Sequence, residues 1–172
     1  MSRAVETVRI ERHEAKYLFP TARLPALREF LRPHCRPDPH GVGDPPEYLI
    51  TTLQLDTPNL ALHAAKENEA HRRFKLRVRT YGEDGRAPVI LEIKSKTGYQ
   101  ISKSRATVPF AAWGRELIFN PRVTVSFKSD REYQGFLQFV RVVRETGAEP
   151  VVRMRYVRES YFGVAERYAR VS

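Results

Sequence analysis

Between residues 71 and 108 polar and apolar side chains alternate nearly one for one, as in strands with one wet and one dry face. In His71–Tyr81, Phe74, Leu76 and Val78 share one parity, and Arg73, Lys75, Arg77 and Arg79 share the other. Pro88–Lys96 repeats the scheme, with Leu91 and Ile93 opposed by Glu92, Lys94 and Lys96. Gln100–Val108 sets Lys103 and Arg105 in phase with Ile101 and Thr107. Gly82–Gly85 and Thr97-Gly98 separate these segments as hairpin turns would. Alternation predicts further strands over Val5–Leu18, Tyr48–Leu55, Val151–Phe162 and Glu166–Val171.

Elsewhere the spacing is helical. Leu24, Leu27, Phe30 and Leu31 predict a short helix over Thr21–Arg32. Asp56-Thr57-Pro58 reads as a helix start, with a side-chain oxygen for free N–H groups and a proline at the first turn, leading to about Asn68. Phe136, Phe139, Val140 and Val143 form one stripe in Asp130–Thr146, which Gly147 ends. Pro109–Phe119 is ambiguous, one helical turn or two. Pro33–Pro46 is rich enough in Pro and Gly to predict a surface loop. The sum is an antiparallel-rich α+β single domain, of ordinary size for its 172 residues.

Charge changes this picture more than composition does. The net charge is +10, and the sequence pI is near 10.0. Residues 71–105 hold ten Lys/Arg against three Asp/Glu, and residues 151–170 hold five against two. The rest of the chain is balanced, so a uniformly basic coat is excluded. Cys35, the one cysteine, excludes an intrachain disulfide and a multi-cysteine zinc cluster. No apolar run approaches the ~18–20 residues of a membrane span. The N-terminal residues lack the apolar stretch of a secretory signal, so cytoplasm is the expected compartment.

The basic blocks are strand faces. Four cations on one face of His71–Tyr81 stand about 6.5–7 Å apart and repel one another unless water, salt or a polyanion intervenes. Arg12, Glu14 and Lys16 extend the pattern to the first strand, Tyr156 and Arg158 to the next to last, and Tyr168, Arg170 and Ser172 to the last. A solvent face usually mixes both signs. A sheet curled around these faces would instead form a polyanion-binding channel. Arg153 and Arg155 have the opposite parity from Arg158 and stay outside it.

Arg12-x-Glu14-x-Lys16-Tyr17, Leu55-Asp56-Thr57, Lys75-Leu-Arg77-Val-Arg79-Thr-Tyr81-Gly82, Glu92-Ile-Lys94-Ser-Lys96, Lys103-Ser-Arg105, Tyr156-Val-Arg158 and Arg170-Val-Ser172 follow in order. This succession resembles VTC-type polyphosphate polymerase domains, which belong to the triphosphate tunnel metalloenzymes of the CYTH-like superfamily. The resemblance covers nearly the whole chain. It implies an antiparallel β-tunnel (a CYTH-like barrel) with helices packed outside, Mn²⁺ or Mg²⁺ as cofactor, and ATP and inorganic polyphosphate as partners. The implied reaction moves the γ-phosphoryl group of ATP onto a growing polyphosphate chain. Lys16, Arg77, Arg79, Lys94, Arg158 and Arg170 would carry catalysis. Lys75, Lys96, Lys103, Arg105 and Tyr156 would join them in binding phosphates. Glu14 and Glu92 are the candidates to hold the metal, since hard divalent cations favour carboxylate oxygens; the alternative for both is a structural ion pair with neighbouring cations. Phosphoryl transfer needs positioning and charge neutralisation more than covalent chemistry, which suits fixed cations.

Two departures shape the expectation. Arg12-x-Glu14-x-Lys16 stands where the hydrolytic branch of the superfamily has Glu-x-Glu-x-Lys, which favours the polymerase branch. The family continues past the Arg-Val-Ser strand, whereas Ser172 is last here. One tunnel domain over 1–172, lacking its C-terminal closing strands, is therefore expected. The alternatives are a metal-dependent tripolyphosphatase or nucleoside triphosphatase, and a non-catalytic polyphosphate or nucleotide binder. A nucleic-acid binder is the generic reading of the pI, but neither an RNP run nor a basic recognition helix is visible. Asp56 reads as a helix cap rather than a ligand, the five histidines lack metal spacing, and Trp113 reads as core.

Overall fold

In the computed structural model, which describes residues 15–82, 86–120, 125–166 and 169–172, the alternating segments pair as antiparallel strands. They are β1 (Cys35–Pro37), β2 (Glu47–Asp56), β3 (Arg72–Tyr81), β4 (Val89–Thr97), β5 (Gln100–Val108), β6 (Glu149–Glu159), β7 (Tyr161–Gly163) and β8 (Arg170–Val171). The larger sheet has the order β5-β4-β3-β2-β6, the smaller β1-β7-β8. Among the described residues the α-helices are α1 (Leu24–Leu31), α2 (Ala61–Glu67), α3 (Arg115–Phe119) and α4 (Asp130–Thr146). The architecture is mixed α/β with antiparallel sheets. Among the described residues the five-stranded sheet is open, with β5 and β6 as its edges, and no closed barrel forms. No helix among them is long and apolar enough to cross a membrane.

Three expectations are refined. The Pro33–Pro46 loop contributes β1, because proline is excluded from central strands but tolerated at the end of an edge strand such as this one. Val151–Phe162 is not continuous: it breaks at buried Ser160, and its two parts join different sheets. Of Glu166–Val171, residues 167 and 168, with the expected Tyr168, lie outside the described residues; Arg170–Val171 pairs against Phe162 and Tyr161. Residues 5–14 of the first expected strand lie outside the described residues, and 15–18 have no regular secondary structure.

The dry face of the large sheet makes the core. Leu76, Val78, Leu91, Ile93 and Val108 pack in one cluster with Phe139 and Val143 of α4 and with Leu117 and Ile118 of α3. Helix α4 sits close to β5 because Gly135 has no side chain: a Cβ there would lie 2.3 Å from the Arg105 carbonyl oxygen. Its start is capped by Ser129, whose Oγ accepts from the Glu132 N–H at 3.2 Å. Gly147, in the left-handed region at φ +62°, ends it. The β4–β5 hairpin turns at Gly98, where φ +56° favours glycine. Arg28 of α1 grips Glu159 with hydrogen bonds of 2.9, 3.2 and 2.8 Å, fastening α1 to the end of β6.

Asp56 caps a helix from a distance. Its Oδ1 accepts from the Leu62 N–H at 2.9 Å and its Oδ2 from the His63 N–H at 2.8 Å, while Thr57 Oγ1 accepts from Ala61. The helix itself starts only at Ala61, after Leu60 takes φ 56°. Asp56→Ala therefore strands three partly buried N–H groups, those of Thr57, Leu62 and His63, and lowers stability by about 1–2 kcal/mol. Thermal unfolding should show the midpoint falling by roughly 3–6 °C; an unchanged midpoint contradicts the capping role.

Candidate functional site

The face of the large sheet opposite α4 carries the in-phase cations, and the strand register turns them into rows. Lys75 of β3 lies opposite Lys94 of β4, which lies opposite Lys103 of β5. Arg73 opposes Lys96, so a second like-charged pair adjoins this lysine row. One step along, Arg77, Glu92 and Arg105 face one another in the same way. Toward β2, Gln54 opposes Arg77 and Thr52 opposes Arg79. On β6, Tyr156 opposes Ile50 and Arg158 opposes Tyr48. Directly opposed side chains have Cβ atoms about 4.5–5.5 Å apart, and like charges in that position destabilise a sheet.

Glu92 is the one carboxylate in these rows and is nearly enclosed, at 5% exposure. Its Oε2 accepts from Arg105 Nε at 2.7 Å and lies 2.6 Å from Nη2, while Arg77 Nη1 stands 3.9 Å from Oε1. Burial pushes its pKa up, but the hydrogen bond and charge of Arg105, with the charges of Arg79 and Arg77, outweigh burial and hold it below the usual carboxylate range. Arg77 Nε is shut off from solvent and has no hydrogen-bond partner among the described residues. Arg79 Nε donates to Thr52 Oγ1 at 3.3 Å. Lys75 is pushed below the usual lysine pKa, first by burial and then by the charges of Arg77, Lys66, Lys94 and Lys16.

The face is polarised along the strands. Six residues beyond Lys75, about 20 Å at strand rise, Tyr81 leans on Tyr48 with ring centroids 5.9 Å apart. Arg158 lies 5.7 Å over the Tyr156 ring and donates to its hydroxyl at 3.3 Å. One end is thus aromatic and the other is lysine. Between them Arg77, Arg79, Tyr81, Ile90, Glu92 and Arg105 line a concavity of about 10 Å³, room for about one water molecule. It is a shallow seat on an open face.

Ten expected residues meet here: Lys75, Arg77, Arg79, Glu92, Lys94, Lys96, Lys103, Arg105, Tyr156 and Arg158. Lys16 lies in no strand, yet its charge reaches Lys75. Arg170 is on the small sheet, its guanidinium 4.6 Å over the Phe162 ring, and belongs to none of these rows. Glu14 lies outside the described residues. Sequence reasoning left Arg73 and Tyr48 out of the site, although the parity of Arg73 with Lys75 was a signal for it. Tyr48 gave none, since its partner strand is distant in sequence.

Glu92, the described one of the two carboxylates expected to hold Mn²⁺ or Mg²⁺, is engaged by Arg105 and faces two further guanidiniums. Among the described residues no group of three His, Cys, Asp or Glu side chains gathers. Hard divalent cations want several oxygen ligands, so the described residues do not by themselves fit such an ion. What the face does offer is fixed positive charge in a line. The family model of the VTC domain matches residues 11–172. No curated protein matches the chain.

Proposed function

The chain belongs to the VTC domain family, matched over nearly its whole length, and on that footing we propose that its cationic sheet face binds inorganic polyphosphate and supports its extension from ATP. The observation carrying this reading is the lysine row, Lys75, Lys94 and Lys103, with Arg73 opposite Lys96 beside it. Each opposed pair costs about 1 kcal/mol in water and more where solvent is excluded. A linear polyanion laid across the rows would turn that repulsion into binding, with Arg77, Arg79 and Arg105 gripping oxygens in forked geometry and lysines acting as point charges.

The reaction fits the same face. A terminal oxygen of the polyphosphate chain attacks the γ-phosphorus of ATP, the bond from that phosphorus to the β,γ-bridging oxygen breaks, and ADP leaves. The chain grows by one phosphate. Fixed cations stabilise the charge that spreads over the transferring group, and no side-chain nucleophile is needed. A second reading, a polyphosphate binder without catalysis, is favoured by the engagement of Glu92 with Arg105. Incubation with ATP and Mn²⁺ or Mg²⁺ separates these. Long-chain polyphosphate and ADP are the expected products; free phosphate alone indicates hydrolysis, and tight binding without turnover indicates the binder.

Lys75 offers an opposed pair of effects. Its folded-state pKa is lowered, so its protonation opposes folding at neutral pH. That penalty is relieved as pH rises from the folded value through the ordinary ~10.4. Lys75→Met should raise the unfolding midpoint by about 2–4 °C, from roughly 1 kcal/mol of relieved repulsion. The same variant should bind polyphosphate about tenfold more weakly. A variant that is stabilised without losing affinity would place Lys75 outside the site.

A further inference from the structure

The lysine end of the cationic face runs into α2. Strand β2 ends at Asp56, one step past Leu55, whose partner on β3 is Leu76, so Asp56 stands beside Lys75. It has the parity of Gln54 and Thr52, which oppose Arg77 and Arg79, and so lies on the cationic side of the sheet. From there its carboxylate holds the Leu62 and His63 N–H groups, which hangs α2 at this end of the face. Arg73 Nη1 donates to the Ala70 carbonyl at 2.7 Å and ties the α2–β3 connection to the same end. His63, Lys66 and Glu67 are exposed, and their spacing of three and four residues puts them on one side of the helix. Lys66 Nζ donates to Glu67 Oε1. The coupling to the sheet is mutual. Burial and then the charges of Arg77 and Lys66 lower the pKa of Lys75. The hydrogen bond and charge of Lys66 lower that of Glu67, and the charges of His63 and Lys75 add to this.

We propose that the polyphosphate track continues off the sheet onto α2, with Lys66 as a further binding residue and Glu67 as the counter-charge it exchanges for phosphate, so that the site favours long chains over short ones. This rests on the reading of the cationic face as a polyphosphate site and adds a length preference to it. Tripolyphosphate is short enough to be held by the guanidiniums of Arg77, Arg79 and Arg105 alone. Only a longer chain reaches from them past Lys75 to α2. There the half-exposed Lys66–Glu67 pair is weak, as solvent-exposed pairs are, so a chain already anchored on the sheet can displace the carboxylate. Lys66 then acts as one more point charge on the chain.

Long-chain polyphosphate and tripolyphosphate are titrated, at fixed ionic strength, into wild type, Lys66→Met, Glu67→Gln and the charge-matched control Arg131→Met on α4 across the sheet. Lys66→Met should bind the long chain about fivefold more weakly, and Glu67→Gln, which frees Lys66, about threefold more tightly. Tripolyphosphate affinity should stay within about twofold throughout, and Arg131→Met should change neither ligand by more than that. Equal losses for Lys66→Met and Arg131→Met, an unchanged or weaker long-chain affinity in Glu67→Gln, or a tripolyphosphate loss matching the long-chain loss would each overturn the proposal. The parent reading fails differently: wild type would then bind neither ligand, and the track on α2 would fall with it.

Discussion

Glu92→Ala is expected to lower the stability of this protein by about 3 kcal/mol, the lower end of what breaking a buried ion pair does. The lower end applies because Arg105 is half exposed, at 52%, and can turn to water. Arg77 cannot do so as readily: its Nε is already enclosed without a partner among the described residues. With Glu92 gone, no carboxylate stands between Arg77 and Arg79 on β3 and Arg105 on β5. The unfolding midpoint should fall by roughly 6–12 °C. The pH dependence has a definite sign. The folded-state pKa of Glu92 is lowered, so its stabilisation is present above the ordinary ~4.3 and is lost as pH falls through the folded value. Wild type and variant should converge in acid below that window. A gap that persists there, or no gap at neutral pH, contradicts the ion-pair role.

Arg77→Ala combined with Arg79→Ala is expected to weaken polyphosphate binding about 100-fold, since each charge-assisted contact is worth roughly 1.5–3 kcal/mol and each 1.4 kcal/mol is tenfold. These two lie between the lysine row and the tyrosine end, so no polyanion following the face can avoid them. The remaining affinity should fall steeply with salt, because what is left is screened point charges. The double variant should fold, as it removes two like charges from a crowded face and leaves the Arg105–Glu92 hydrogen bond in place. Circular dichroism alongside equilibrium titration separates lost binding from lost fold.

Much of this arrangement was legible in the chain because strand periodicity is rigid. Once Phe74, Leu76 and Val78 were assigned to the core, Arg73, Lys75, Arg77 and Arg79 had to share the other face, and they do. The same parity kept Arg153 and Arg155 off that face. Register was not legible. Nothing in the sequence states that Lys75 meets Lys94 or that Glu92 falls between Arg77 and Arg105, yet those meetings decide that Glu92 is an ion-pair partner here. Arg170 shows a second limit. Its alternation with Ser172 gives a face but not a sheet, and β8 pairs with β7 rather than joining the cation rows. The Pro-rich loop hid β1 because composition speaks against central strands and says little about short edges.

The proposed function rests on position, not on net charge, and one titration separates the two. Long-chain polyphosphate is titrated at fixed ionic strength into wild type and two charge-matched double variants. One is Arg77→Ala/Arg79→Ala; the other is Arg131→Ala/Arg141→Ala on the exposed side of α4, across the sheet from the cation rows. Each removes two positive charges from a chain of net +10. The expected result is a loss of about 100-fold for the sheet-face variant and less than about threefold for the helix variant. Equal losses would show that polyphosphate reads the overall charge of the protein, and the cationic face would then not be its binding site.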